Sequence, residues 1–152
     1  LTGQPITQIT VWGLPNIGKY SHDNLSIHLD FQDGSIGTIA YLANGTKSFA
    51  KEYVEVFCEG KIGILDDFRN LTLVDDHKKQ IQRSRMRQDK GHRGAWEAFT
   101  AAVIKGGTEP IPYADLIQVS YAVLAGQESL QTGKPVNLAA FMRSKTSGQR
   151  SN

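Results

Sequence analysis

The sequence predicts an α+β fold, a largely antiparallel (mixed) open-faced sheet with helices packed on one face. Two observations predict it. Residues 1–83 are a succession of short β-branched or alternating runs divided by turn signals, and from Gly94 onward the apolar spacing becomes that of amphipathic helices. With 152 residues, 39% hydrophobic and 21% charged, the chain has the size and composition of one domain with a real core. No apolar run reaches the roughly 18 residues a membrane span requires.

The strands come first. "QPITQITVW" (residues 4–12) is rich in β-branched residues. "DNLSIHLDF" alternates, with Leu25, Ile27, Leu29 and Phe31 on one face and Asn24, Ser26, His28 and Asp30 on the other, so one side is buried. "QDGS" supplies the Asp-Gly pair of a tight hairpin, and "SIGTIAYLA" returns as the antiparallel partner. After the loop "NGTKSFAK" (44–51) the runs "EYVEVFCE", "KIGILDD", "RNLTLVDD" and "KKQIQRSRM" follow at similar spacing, as in a meander. Glu59-Gly60-Lys61 reads as a hairpin turn, and Asp66-Asp67 and Asp75-Asp76 as strand ends.

Two helices follow. Trp96, Phe99 and Val103 recur at i, i+3 and i+7, and Gly106-Gly107 is a C-terminal stop. After "TEPIP", Leu116, Val119, Val123 and Leu130 form one row and Ile117, Tyr121 and Leu124 another; Asp115 suits the first turn and Gly133 closes the helix. The tail 143–152, "RSKTSGQRSN", has no apolar residue and is expected to be disordered. The chain opens at Leu1 with no Met and no signal pattern, which reads as a cut through a longer protein.

Few residues support chemistry. Cys58, the only cysteine, excludes an internal disulfide and makes a cytoplasmic location the default; on the face of Val54 and Val56 it reads as a small core filler rather than a nucleophile. Adjacent strand residues point to opposite faces, so Asp66 and Asp67 cannot act together on one substrate. His22, His28, His77 and His92 lack metal-ligand spacing, so no metal is expected and no catalytic residue is assigned. His92, with Lys90 and Arg93, could meet a phosphate before the first helix.

The net charge of +2 is uneven. Residues 77–93 hold seven cations (Lys78, Lys79, Arg83, Arg85, Arg87, Lys90 and Arg93) against Asp89, about +6, leaving about −4 elsewhere. Clustered cations can grip a phosphate backbone, but this strip has no interleaved aromatics and no nucleic-acid motif. Protection of an exposed sheet edge is favoured, and nucleic acid is the disfavoured alternative. No Gly-x-Gly-x-x-Gly follows a strand, and "GLPNIGK" has neither the spacing of a phosphate-binding loop nor a Ser or Thr after its Lys.

"KEYVEVFCEGKIGILDDFRNLTLV" resembles the strand-turn-strand segment in the C-terminal domain of the Gfo/Idh/MocA oxidoreductases (glucose-fructose oxidoreductase and inositol dehydrogenase-like). The other segments follow in family order: "LTGQPITQITVWG" resembles the first sheet strand, "DNLSIHLDFQDGSIGTIAYLANG" the central hairpin, and "AVLAGQESLQTGKPVNL" the last helix and exit. The likeness covers about residues 1–140. "SFAKEYVEVFCEGKIGILDDFRNL" and "DKGH" are most similar to the branch fused behind a zinc-type alcohol dehydrogenase-like region.

The resemblance implies an oxidoreductase whose NAD or NADP is bound by an N-terminal Rossmann domain absent from this chain, with a Glu-Lys-Pro lysine and an Asp-x-x-x-His motif that are also absent. It implies a domain over 1–142 that walls the substrate pocket and assembles as a homo-oligomer through its open sheet face, with roles there for His28, Ser26 and Asn24. The chain alone is then expected to be inactive. Its partners would be its own Rossmann domain, a copy of itself and a sugar-type small molecule. The loop after the central hairpin reaches toward the sugar in the family, and here it carries Lys47, Ser48, Phe49 and Lys51 as substrate-binding candidates. Two ammonium groups would suit a uronate or sugar nucleotide, and Ser48-Phe49-Ala50 in place of the tyrosines of some inositol dehydrogenases disfavours a neutral cyclitol. A solvated turn accounts for the loop equally well. The alternative function is a non-enzymatic module binding polyanions or nucleic acid through residues 78–93.

Overall fold

The computed structural model describes residues 2–18, 21–84 and 88–147. In chain order its elements are β1 (Ile6–Gly13), β2 (Asn24–Phe31), β3 (Ile36–Leu42), β4 (Tyr53–Cys58), β5 (Lys61–Asp66), β6 (Asn70–Val74), β7 (Lys79–Arg83), α1 (His92–Lys105), α2 (Tyr113–Thr132), β8 (Val136–Asn137) and α3 (Leu138–Ser147). Strands followed by helices make the α+β class. The single sheet expected is instead two four-stranded antiparallel sheets, ordered β3-β2-β1-β8 and β4-β5-β6-β7, and the second is the meander read from residues 52–86 of the sequence. The chain divides into two compact units, Leu1–Asn44 with Ile111–Asn152, and Gly45–Pro110.

The first unit holds the buried core: Ile9 and Val11 of β1, Ala125 of α2, Val136 of β8, and Leu138 and Phe141 of α3. Leu25, Ile27 and Leu29 pack against it, as the alternation of β2 requires. The hairpin turn is held by Phe31 N–H on Ser35 O (3.0 Å) and Ser35 N–H on Asp33 Oδ1 (2.9 Å), with Gly34 at φ 85. Gly126 of α2 faces β1 closely enough that a Cβ there would touch Val11 Cγ2 at 3.4 Å, an ordinary packing contact. β8 pairs only with Gln8 and Ile9, so the outer edge of β1 continues unpaired past it. Ser129 of α2, fully buried, closes part of that edge by accepting the Val11 N–H at 3.0 Å.

The expected tail is partly a helix. Asn137 Oδ1 accepts the Ala140 N–H (2.9 Å), and Leu138 and Phe141 anchor the first turns of α3. The helix then carries residues 143–147 with it, although none of them is apolar; residues 148–152 lie outside the described residues.

In the second unit β4 is an outer strand of its sheet, and Cys58 stands at its end beside the turn formed by Glu59 (φ 48) and Gly60 (φ 75). Cys58 is exposed, which corrects its reading as a core filler: strand alternation gives a face but not whether that face is covered. β7 is the opposite outer strand, with Lys79 and Arg83 exposed along it, the arrangement expected of a protected edge. Helix α1 ends at Gly106 (φ 65), with the Gly107 N–H on Ala102 O at 3.0 Å, as its two glycines predict. Its stripe is not buried. Trp96 is 67% exposed, Phe99 53% and Val103 66%, so the period correctly marked a one-sided helix without saying what covers that side.

Candidate functional site

The loop between β3 and β4 is shaped by short hydrogen bonds. The Phe49 N–H meets Thr46 O (3.2 Å), and the Thr46 and Ser48 hydroxyls lie 3.1 Å apart. This turn brings Lys47, Ser48, Phe49 and Lys51 to one open depression of about 470 Å³. Asp67, Arg69, Gln88 and Lys90 line it as well.

The β5–β6 connection forms the other wall. Asp67 (φ 50) and Phe68 (φ 52) are the two central residues, closed by the Arg69 N–H on Asp66 O at 2.9 Å. Left-handed backbone costs a residue with a Cβ roughly 1–2 kcal/mol, and such turns ordinarily use Asn and Gly. The surroundings hold this one in place: Asp67 N–H donates to Glu52 O (2.8 Å), Ser84 N–H to Arg69 O (2.7 Å) and Asp89 N–H to Phe68 O (3.4 Å). The turn thereby docks onto both the end of the lysine loop and the segment before α1.

Side chains extend the same ties. The Asp67 carboxylate accepts from Gln88 through Oδ1 and faces Arg69 Nε at 3.3 Å through Oδ2, while Asp66 Oδ2 accepts from Asn70 at 3.2 Å. The two carboxylates thus serve different partners, consistent with their divergence along the strand. Lys90 pairs with Glu52, and its Nζ lies 5.8 Å from the Phe68 ring centroid. Among the described residues neither Lys47 nor Lys51 has a carboxylate within ion-pair distance. With four cations and two carboxylates the depression carries an excess of two positive charges.

The remaining candidates lie apart from this pocket. His28 contacts Thr38 Oγ1 (3.3 Å) and Asp30 (3.5 Å) on the first sheet, and His22 contacts Asn16 (3.1 Å). His92 opens α1, but the cations expected to join it at a phosphate are each engaged, Lys90 with Glu52 and Arg93 with Glu97 (2.7 Å). Arg85 and Arg87 of the basic strip lie outside the described residues. Asp75 Oδ1 caps its turn through the His77 (3.1 Å) and Lys78 (2.8 Å) N–H groups, a strand end as read. Among the described residues no group of three His, Cys, Asp or Glu could hold a metal ion, and no helix is long and apolar enough to cross a membrane.

A second shallow depression, about 520 Å³, lies on the β4–β7 sheet between Tyr53, Asp66, Asn70 and Arg83. There the Tyr53 phenol donates to Glu55 Oε1 at 2.8 Å, and that bond, followed by burial and the neighbouring carboxylate charges, raises its pKa. Every strand pairing among the described residues is antiparallel, so they contain no parallel β-α-β unit.

No family model matches the sequence, and no curated protein matches it. Solved structures do. An oxidoreductase from Agrobacterium radiobacter, in complex with NAD+, L-tartaric acid and magnesium, matches with a TM-score of 0.72 at 18% identity over 90% of this chain. An aldose-aldose oxidoreductase from Caulobacter crescentus gives 0.69 at 11% over 90%, and a UDP-N-acetylglucosamine 3-dehydrogenase from Acidithiobacillus ferrooxidans 0.70 at 13% over 87%. The fold is that of the Gfo/Idh/MocA-type oxidoreductases. The chain spans 44%, 42% and 42% of those three proteins, less than half of each Gfo/Idh/MocA-type neighbour. Nothing in these likenesses supports a fused zinc-type alcohol dehydrogenase-like region.

Asp67, Arg69 and Gln88 were not singled out as site residues from sequence, and Lys90 was named only as a phosphate contact beside His92 and Arg93. The signal for the first two was present in the turn itself, since "DDFRN" puts Asp and Phe where a two-residue hairpin ordinarily has Asn and Gly. Nothing local marked Gln88.

Proposed function

We propose that these residues form the substrate-side and oligomerisation domain of an NAD(P)-dependent oxidoreductase acting on a sugar or sugar derivative. The observation that carries the reading is the gathering of Lys47, Ser48, Phe49 and Lys51 at one pocket on a chain with this oxidoreductase fold. The aldose-aldose oxidoreductase and the UDP-N-acetylglucosamine dehydrogenase support a sugar substrate, and the NAD+ complex supports the nicotinamide cofactor. In this reading the cofactor sits on a separate Rossmann domain and hydride passes there, while the 152 residues alone transfer none. The domain walls the sugar pocket with the lysine loop. An exposed lone cysteine fits a reducing, cytoplasmic setting.

Self-association belongs to the same proposal. The face of the first sheet opposite α2 carries Trp12, Ser26, His28 and Thr38, flanked by exposed Ile36 and Leu42. Apolar groups interleaved with short polar ones suit a second copy of that face.

The test is a comparison of this chain with the longer reading frame that contains it. The longer protein should reduce NAD+ or NADP+ with a sugar from a panel of aldoses, uronates and sugar nucleotides, and the 152 residues alone should not bind NADH. NADH binding by the short chain would overturn the placement of the cofactor. A longer frame without Gly-x-Gly-x-x-Gly would overturn the function.

A further inference from the structure

The charges around the lysine-loop pocket are not equally committed. Lys90 is taken by Glu52. Asp67 is fixed by its turn, by Gln88 on Oδ1 and by its own backbone bond to Glu52, so its Oδ2 presents a stationary negative charge to Arg69. Arg69 forms an ion pair with that oxygen, its Nε 3.3 Å away, and the Arg69 side chain remains 57% exposed. A guanidinium paired on its Nε side leaves terminal N–H donors that a second oxyanion can use. Lys47 and Lys51, lining the same pocket, bring two point charges without a carboxylate partner among the described residues. A planar fork aimed by a fixed carboxylate discriminates in geometry, whereas two flexible ammonium groups supply mainly charge.

We infer that this pocket takes the oxyanion of an acidic sugar, a carboxylate or a phosphate, and that Arg69, held in place by Asp67, is the residue that selects for it. The inference rests on the reading of the lysine loop as the sugar site. Asp67 positions and Arg69 binds. The left-handed turn serves this arrangement by setting Asp67 and Arg69 against the 44–51 loop, whose Lys47 lies twenty residues before Asp67 in the chain.

The experiment is an amide-resolved NMR titration of the chain with glucuronate, glucose 1-phosphate, glucose and inorganic phosphate, each at low and at 0.5 M salt. It is repeated on Arg69→Gln and Arg69→Lys, exposed substitutions on a hairpin whose spectra also report whether the fold is kept. The two charged sugars should bind at least about tenfold more tightly than glucose and shift residues 47–51 and 67–69, and the tighter of the two identifies the anion's source. Arg69→Gln should lose about tenfold for the charged sugars and nothing for glucose, with Arg69→Lys recovering only part, because it restores charge without the fork. Glucose binding as tightly as the charged sugars, insensitive to salt and to Arg69→Gln, would overturn the oxyanion inference and leave the loop a sugar site. Inorganic phosphate matching glucose 1-phosphate would overturn the sugar as part of the ligand. Shifts confined to other regions, or none with any ligand, would overturn the loop's assignment and this inference together.

Discussion

Among the residues, the clearest pH-sensitive feature is the pair Tyr53 and Glu55 on the open face of the second sheet. The phenol donates to Glu55 Oε1, so removing its proton would place a phenolate against a carboxylate, and the pKa is raised above 10.0. For a group whose folded pKa is raised, the stabilisation is present below the unfolded value and is lost as pH rises through the folded one. Between those two values folding should therefore hold the proton on Tyr53. Ultraviolet titration of the phenols should show the ionisation of one tyrosine, Tyr53, moving to lower pH in Glu55→Gln. A titration unchanged by that substitution would mean that the bond does not form in solution. Asp33 is the opposite case, lowered chiefly by the Ser35 N–H, and its contribution disappears only as pH falls below the ordinary carboxylate range.

The elements show where local rules end. Helix α2 is bounded by Pro112 and by Gly133 at φ 67, both visible in the sequence, yet its most consequential residue is the small polar Ser129 on its buried side. A two-residue β8 leaves the Val11 N–H beyond the ladder, and the Ser129 hydroxyl satisfies it. Ser129→Ala should cost about 1–3 kcal/mol, the penalty for stranding a buried donor, measured by urea denaturation. Hydrogen exchange at Val11 should quicken more than at Ile27 across the ladder. A neutral substitution would show that water reaches the edge of β1. Helix α3 makes the complementary point: two buried residues and an Asn cap sustain a helix through residues 143–147, where composition indicated disorder.

At the scale of the molecule, the proposed assembly through the open face of the first sheet is open to a direct test. Trp12 is 57% exposed and Ile36 69%, both on the side away from α2, so a charge there should leave the fold intact while opposing self-association. In sedimentation velocity the chain should behave as a dimer or larger species, and Trp12→Asp with Ile36→Asp should return it to a monomer. A parent chain that is already monomeric at all accessible concentrations would refute assembly through this face. Described cations of the basic strip fall into two groups. Lys79 and Arg83 lie along an edge strand, and Lys90 and Arg93 are engaged by Glu52 and Glu97.

What the sequence determined by itself was local. Strand alternation, the Asp33-Gly34 turn, the glycines at 106 and 133 and the helix periods each depend on a few neighbouring residues, and each was legible. The loop residues Lys47, Ser48, Phe49 and Lys51 could be named through resemblance, without their surroundings. Tertiary structure decided the surroundings: Lys90 meets Glu52 across 38 positions and Gln88 meets Asp67 across 21, pairings that depend on strand register and turn geometry rather than on spacing along the chain. The exposure of Cys58 and of Trp96, the division into two sheets and the helical tail were settled in the same way. A side chain's chemistry and a segment's period are carried by the segment, whereas its burial, its ionic partner and its share in a site are properties of whatever the fold places against it.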